Sequence, residues 1–494
     1  MRSVRTMAVG VCTAVVGVLG LTGVAQAQTG AIAATPSVTV AAGVETANRL
    51  TLPAGCTGPV KVTGFPAPNG STTNLQQVNS GTTTAPIVKL AGVWPPPSPD
   101  PQTFALTITC ANAKTGKENV SDESSPATTD VVGVGSDTIQ NLVDQFSADY
   151  NATHTTSGTQ LYYFDATNPI TGAMGDTIVT KHTSTDHTTC SVPRPDGASA
   201  GIAALESTKT LSGHPCIDFV GNTRARAGTD PTTISFITLG GDAVTYTTQP
   251  GTNAPAALTL ADLTGIYNCS LTAWNQIPGN SGGSSATIAA MLPQNGSGMR
   301  KVFLTAIGLT APGSCVSTSA TRQGAAGAGD NTLQQNEGVA PSLNTNTANV
   351  IFPFTVAKYL AEHFHSASCG TVSQCFASPN NCTPSAGLNL FGCNIHGTLL
   401  LNPITEPGGT VTNPTTPFPP TKQSAINPGF DPTFIYLVSE VVNAPQGTVP
   451  TSLAPLFGPT GFTCTNSTAK ADLKHYGYLV LPAGTAPGDC GSAS

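Results

Sequence analysis

Three times this chain runs a turn of small residues straight into an apolar helical stretch, and that recurrence restricts the fold more than any other feature. Val132-Gly-Val-Gly-Ser-Asp-Thr138 leads into Ile139-Gln-Asn-Leu-Val-Asp-Gln-Phe146, and Gly197-Ala-Ser-Ala-Gly201 leads into Ile202-Ala-Ala-Leu205. The third, Leu292-Pro-Gln-Asn-Gly-Ser-Gly-Met-Arg300, leads into Val302-Phe303-Leu304 with Ala306 and Ile307. The first turn of a helix leaves N–H groups without internal partners at the positive end of the helix dipole. Small residues ahead of it let a ligand approach the backbone. Three such turns predict a cleft shaped to receive an anion.

Between these turns the pattern is α/β. Short apolar strands are predicted at 130–134, 216–220, 234–239 and 350–352, and helices at 139–149, 259–268, 299–308 and 355–365. Phe434–Val442 is predicted as a further helix, and the last apolar stretch is Tyr476-Gly-Tyr-Leu-Val-Leu-Pro482. The residues before this region read differently. Ser37–Val40, Arg49–Leu52, Val60–Thr63, Pro86–Leu90 and Thr103–Thr109 alternate or are β-branched, with Gly and Pro between them, so 28–112 is expected to be a small all-β sandwich. The polar stretch 113–130 is expected to be a linker. Within the α/β region 131–494, residues 366–430 combine four cysteines with a proline-rich stretch and are expected to be a disulfide-pinned, loop-rich insertion.

The N-terminus sets the compartment. Arg2 and Arg5 precede an apolar run from Met7 to Val24, and Ala25-Gln-Ala27 is a small-x-small cleavage site, so residues 1–27 read as a signal peptide. It removes Cys12 from a total of thirteen cysteines and leaves twelve for an oxidising compartment, where disulfides are expected. The sequence leaves connectivity open. Pairing of neighbours gives Cys56–Cys110, Cys190–Cys216, Cys269–Cys315, Cys464–Cys490 and two bridges among Cys369, Cys375, Cys382 and Cys393. The signal peptide also carries Arg2 and Arg5 and no acid, so 17 basic residues then face 26 acidic ones, a formal charge of −9. That balance argues against a nucleic-acid partner. No later stretch is long and apolar enough to span a membrane, so none is expected once the signal is cleaved.

The order of Gly-Val-Gly-Ser-Asp-Thr138, Gly-Ala-Ser-Ala-Gly-Ile202, Ile217-Asp-Phe219, Leu258-Thr259 with Leu263, Ile266-Tyr267 and Trp274-Asn275, Gly-Ser-Gly-Met-Arg300 and the closing Gly-Tyr-Leu-Val-Leu-Pro482 resembles the phosphate-binding proteins of ABC importers. It is similar to their secreted actinobacterial relatives over roughly 130–360 and 430–482. The resemblance implies a two-lobed substrate-binding-protein fold with a hinge, an inorganic oxyanion as ligand with phosphate foremost, and an ABC permease as partner. Residue by residue, it implies a first loop of Ser136, Asp137 and Thr138, and a second around Ser199. The third loop, in the opposite lobe, holds Gly296, Ser297, Gly298 and Met299, with Arg300 just inside its helix. Two positions depart from the family pattern. Thr223 stands where the family supplies a carboxylate that accepts a phosphate proton, leaving Asp137 as its substitute. Gln294 stands where an arginine is usual.

Other readings stay open. Gly197-Ala-Ser199-Ala-Gly201 and Gly279-Asn-Ser281-Gly-Gly283 fit the Gly-x-Ser-x-Gly elbow of serine hydrolases, but neither follows a good strand. No catalytic residue and no cofactor is expected. Glu362-His363-Phe-His365 and His396 flank the four-cysteine block, whose gaps are not those of zinc knuckles, so no metal is expected. Arg224 and Arg226, near a candidate hinge, are expected to be solvated. A different class is a surface or adhesion scaffold that keeps the fold and takes no ligand.

Overall fold

Strand β1 (Val131–Gly135) is apolar on both sides, and such a strand is stable only in a sheet covered on both faces. The computed structural model describes residues 37–494 apart from 42–44, 65–75, 94–102, 155–158, 168–174, 184–187, 319–332, 344–346, 366, 369–382, 385–394 and isolated positions. The expected signal peptide, and Cys369, Cys375, Cys382 and Cys393, lie outside the described residues. β1 joins β2 (Leu161–Tyr163), β3 (Phe219–Asn222), β4 (Ile234–Thr248), β5 (Ala289–Ala290), β6 (Val350–Thr355), β7 (Leu400–Leu401) and β8 (Ile435–Asn443). Their order is β5-β6-β4-β8-β3-β1-β2, with β7 also on β4. β2, β1 and β3 run parallel, whereas β8 is antiparallel to both β3 and β4.

The period of two along each strand sorts the core into two layers. Val131, Tyr163, Phe219, Ile237 and Val442 face α1 (Asp137–Asn151), whose Ile139, Leu142, Val143 and Phe146 are fully buried. Val132, Val134, Tyr162, Val220, Phe236 and Val441 face α2 (Ala198–Glu206) through Ile202 and Leu205. In the second lobe, α3 (Leu260–Tyr267), α4 (Gly298–Ala306) and α5 (Val356–His365) surround β5, β6 and the end of β4. A last helix, α6 (Ser467–His475), and the strand Glu45–Arg49 both pack on α1. The α/β fold class follows from this arrangement. Among the described residues no helix is long and apolar enough to cross a membrane.

Ile435–Asn443 is a strand, where a helix was expected. A strand buried on both faces has no polar alternation, so its apolar run carries no period to tell it from a helix. Val441 and Val442, pointing to opposite layers, show why both had to be apolar. The expected linker 113–130 likewise holds a strand, Thr115–Glu123. A turn at Ala111–Lys114, with Ala113 at φ 62°, folds it back on Thr103–Cys110 so that Thr109 faces Thr115. The turn has no Gly or Pro to announce it. These strands with Ser37–Ala41 and Val60–Thr63 form a four-stranded sheet, and Glu45–Arg49, Pro86–Val93 and Gln76–Gly81 form a three-stranded one. Disulfides join Cys56–Cys110, Cys190–Cys216, Cys269–Cys315 and Cys464–Cys490.

β4 ties the lobes. Its residues Ile234–Ala243 pair with β8, and Val244–Thr247 pair with β6, with a register shift between Thr238 and Gly240. Beside that shift Asp242 is fully buried and accepts from the Tyr436 hydroxyl at 2.7 Å, the Ala357 amide at 3.0 Å and its neighbour Ala243 at 2.7 Å. One carboxylate thus joins β4, β8 and the start of α5. Burial outweighs these three donors and lifts its pKa to about 6. A carboxyl with a raised folded pKa stabilises the fold fully only below its unfolded value near 4, and that stabilisation is lost as pH rises through about 6. Urea unfolding of wild type and Asp242→Asn between pH 3.5 and 7 should therefore show a stability difference that changes by about 2–3 kcal/mol across this window, at roughly 1.4 kcal/mol per pKa unit. A pH-independent difference would refute the assignment.

Candidate functional site

The first and third small-residue turns meet at one buried point between the lobes. Ser136 follows β1, and its hydroxyl accepts from the Thr138 amide at 3.3 Å, opening α1. The loop backbone is held from beneath by two tyrosines: Tyr163 donates to the Ser136 carbonyl at 3.0 Å and Tyr478 to the Thr138 carbonyl at 2.9 Å. Thr223, at the end of β3, brings its hydroxyl to 3.5 Å from that of Ser136. These residues lie at the carboxyl ends of parallel strands, where open α/β sheets form ligand crevices. From the second lobe, Ser297 caps α4 by accepting from the Arg300 amide at 3.1 Å. The Gly298 and Met299 amides fall in the first turn of α4, where a helix offers no internal acceptor.

The jaws are in contact. A Cβ on Gly298 would lie 2.3 Å from Thr223 Oγ1 and 3.6 Å from the Ala198 methyl. Gly197, at φ 89°, faces the Gly296 carbonyl 3.2 Å from where its own Cβ would be. Only hydrogen fits at Gly298.

Not every expected residue joins this point. Ser199 is exposed: α2 begins at Ala198, whose methyl points inward, and one residue along a helix turns the next side chain about 100° away. Neither Ser199 nor the exposed Ser281 is hydrogen-bonded to a histidine among the described residues. Met299 is fully buried in the core with Phe303, so only its amide can face the cleft. The Arg300 guanidinium turns back to the Pro293 carbonyl at 2.8 Å and lines a surface cavity of about 500 Å³ with Asn295 and Lys301. Gly296 stays at the rim as part of the turn. Arg224, expected to be solvated, is buried: it grips Asp230 with two bonds of 2.7 Å and lies 5.3 Å from the centre of the Phe236 ring. Among the described residues no cluster of three or more His, Cys, Asp or Glu is placed to hold a metal. His363 stacks on His396 instead.

The centre of the cleft holds three residues the sequence did not single out: Gln334, Gln335 and Asn336. They form the turn leading to β6, with Asn336 at φ 55°. Gln335 accepts from the Ser297 hydroxyl at 2.6 Å, donates to the Ser136 hydroxyl at 3.3 Å and donates to Asp137 Oδ1. Asn336 donates to Thr138 Oγ1 at 3.1 Å and to Asp137 Oδ2 at 3.4 Å. Gln294 donates across the cleft to Asp196 at 3.4 Å, and Gln334, with its amide nitrogen turned toward the same carboxylate, donates to it at 2.7 Å. Burial pushes the Asp137 carboxyl up, against the opposing pull of Lys358 and of the Gln335, Asn336 and Thr138 side chains. Two adjacent amides before Asn-Glu-Gly338 are the only local signal; no periodicity marks them.

The contact at Gly298 has a direct test. Gly298→Ala should destabilise the chain by roughly 1–3 kcal/mol, the usual cost of overpacking. Adding Thr223→Ala removes the clashing oxygen and leaves the nearest Thr223 carbon at 3.5 Å, so the double variant should regain most of that loss in urea unfolding. Absence of recovery would show that the cost lies elsewhere.

Residues 120–351 match the model of the PBP superfamily domain. Among solved structures the chain is similar to a protein from Clostridium perfringens whose name describes it as a phosphate ABC transporter substrate-binding protein with bound phosphate. Identity is 12%, the TM-score is 0.40, and the match covers 71% of this chain and 99% of that one. It is also similar to PstS from Borrelia burgdorferi, at 14% identity and a TM-score of 0.34 over 71% and 98% of the two chains. A third is the phosphate binding protein of Stenotrophomonas maltophilia, at 11% identity and a TM-score of 0.32 over 72% and 91%. No curated protein matches. The segment that matches the PBP superfamily domain runs from the strand ahead of the first jaw to the start of β6 and takes in the cleft residues from Ser136 to Asn336.

Proposed function

We propose that this chain is a secreted solute-binding protein whose cleft takes an inorganic oxyanion, phosphate foremost, and that it carries out no reaction. The observation that supports this reading is the convergence of the Ser136, Thr138, Thr223 and Ser297 hydroxyls and the N-termini of α1 and α4 around one buried point. Hydroxyls and amides donate to anion oxygens, and helix ends supply positive potential without a cation. An acidic chain can therefore hold an anion. Asp137 gives the site its selectivity: a carboxylate beside an oxyanion accepts a proton from a protonated oxygen and repels a bare one, so hydrogen phosphate is favoured over sulfate. The expected signal peptide and the disulfides support export, and an ABC permease is the partner that the family resemblance implies.

A second reading, a surface scaffold that keeps the fold without a ligand, is favoured by one observation: Gln335 already bonds to both jaws. Titration separates the two. Phosphate at millimolar concentration should raise the thermal midpoint by mass action, sulfate should raise it less, and Ser297→Ala should weaken phosphate about tenfold or more, as expected for one hydrogen bond to a charged group. No shift with any oxyanion would favour the scaffold.

A further inference from the structure

We infer that Gln335 is a tethered surrogate ligand, which fills the oxyanion position of the cleft and latches the lobes shut until a solute displaces it. The inference rests on the oxyanion reading of the same site. A carboxamide presents one acceptor oxygen and one donor nitrogen in a plane. Its oxygen takes the Ser297 hydroxyl of one jaw, and its nitrogen serves the Ser136 hydroxyl and the Asp137 carboxylate of the other. A singly protonated edge of an oxyanion offers the same pair: a bare oxygen toward Ser297 and an O–H toward Asp137. Gln335 thus makes, from within the chain, the contacts that phosphate would make from outside.

The turn that presents it is anchored. Asn336 accepts from the Thr355 amide at 3.2 Å and the Thr355 hydroxyl at 3.0 Å at the end of β6, while its own amide reaches across to Thr138. Gln335 is 2 % exposed and Asn336 fully buried, so the side chain is enclosed by both jaws. A tethered group competes at high effective concentration. A solute binds only the fraction of molecules in which the amide has left, so its apparent affinity falls by that fraction. An unliganded protein of this kind rests closed.

The test uses the full chain, inorganic phosphate as probe, calorimetric titration for affinity and small-angle scattering for closure. Gln335→Gly, which removes the surrogate, should bind phosphate at least tenfold more tightly than wild type and should have a larger radius of gyration before phosphate is added. Gln335→Glu, which sets a carboxylate against Asp137, should also open the unliganded protein. If Gln335→Gly does not fold by circular dichroism, Gln335→Asn carries the same test, because its amide is one methylene too short to span the jaws. Equal affinity in wild type and variant overturns the surrogate and leaves the oxyanion reading standing. Weaker binding in the variant also overturns it, by making Gln335 a contact to the solute. No binding of phosphate by any folded variant overturns both.

Discussion

The antiparallel pairing of β4 with β8 is the constraint on which the rest of the molecule hangs. β8 lies between β3 and β4, so it completes the first lobe's sheet, while β4 continues past it to pair with β6 in the second. Every distance across the cleft is set by how these two strands pass between the lobes. The register shift at Thr238 and the buried Asp242 sit at that passage, and neither touches the cleft. A change there would alter the spacing of the jaws without altering any residue in them.

The cleft balances charge with neutral groups. The acid at its centre, Asp137, is surrounded by amides and hydroxyls, and Lys358, which opposes the effect of burial on it, bonds to Asn141 at 2.6 Å on the same helix as Asp137. Neutral donors aimed at a point are well suited to a solute whose own charge is partly titrated, because they do not depend on a cation whose field would hold any anion equally. They are also easily satisfied by the chain itself. An amide can replace an oxyanion in such a setting where it could not replace one held by a pair of arginines.

What could be read from the sequence was what is local. Valines of β1 and the serines that cap α1 and α4 announce themselves within a few residues, because strand period and helix capping are short-range rules. Ser199 and Met299 turn away from the cleft by rotation, because which residue faces it depends on where the helix begins. The Arg300 guanidinium turns away to a nearby carbonyl. Gln335 was out of reach altogether. Its role depends on bringing position 335 to 136, 137 and 297, and no pattern in one sequence encodes that meeting.

The central place of β8 also bears on how the protein can be divided. The family-matched segment, 120–351, is continuous in sequence but not in space. It omits β8, and so would leave a gap one strand wide, about 10 Å between β3 and β4. It also omits Glu45–Arg49 and α6, which cover α1. That helix carries buried polar side chains, including Gln140, Asn141 and Gln145. A recombinant fragment with those limits would expose a half-built sheet edge and an uncovered helix. The chain from Pro36 onward is a single compact unit that keeps the cleft's own walls.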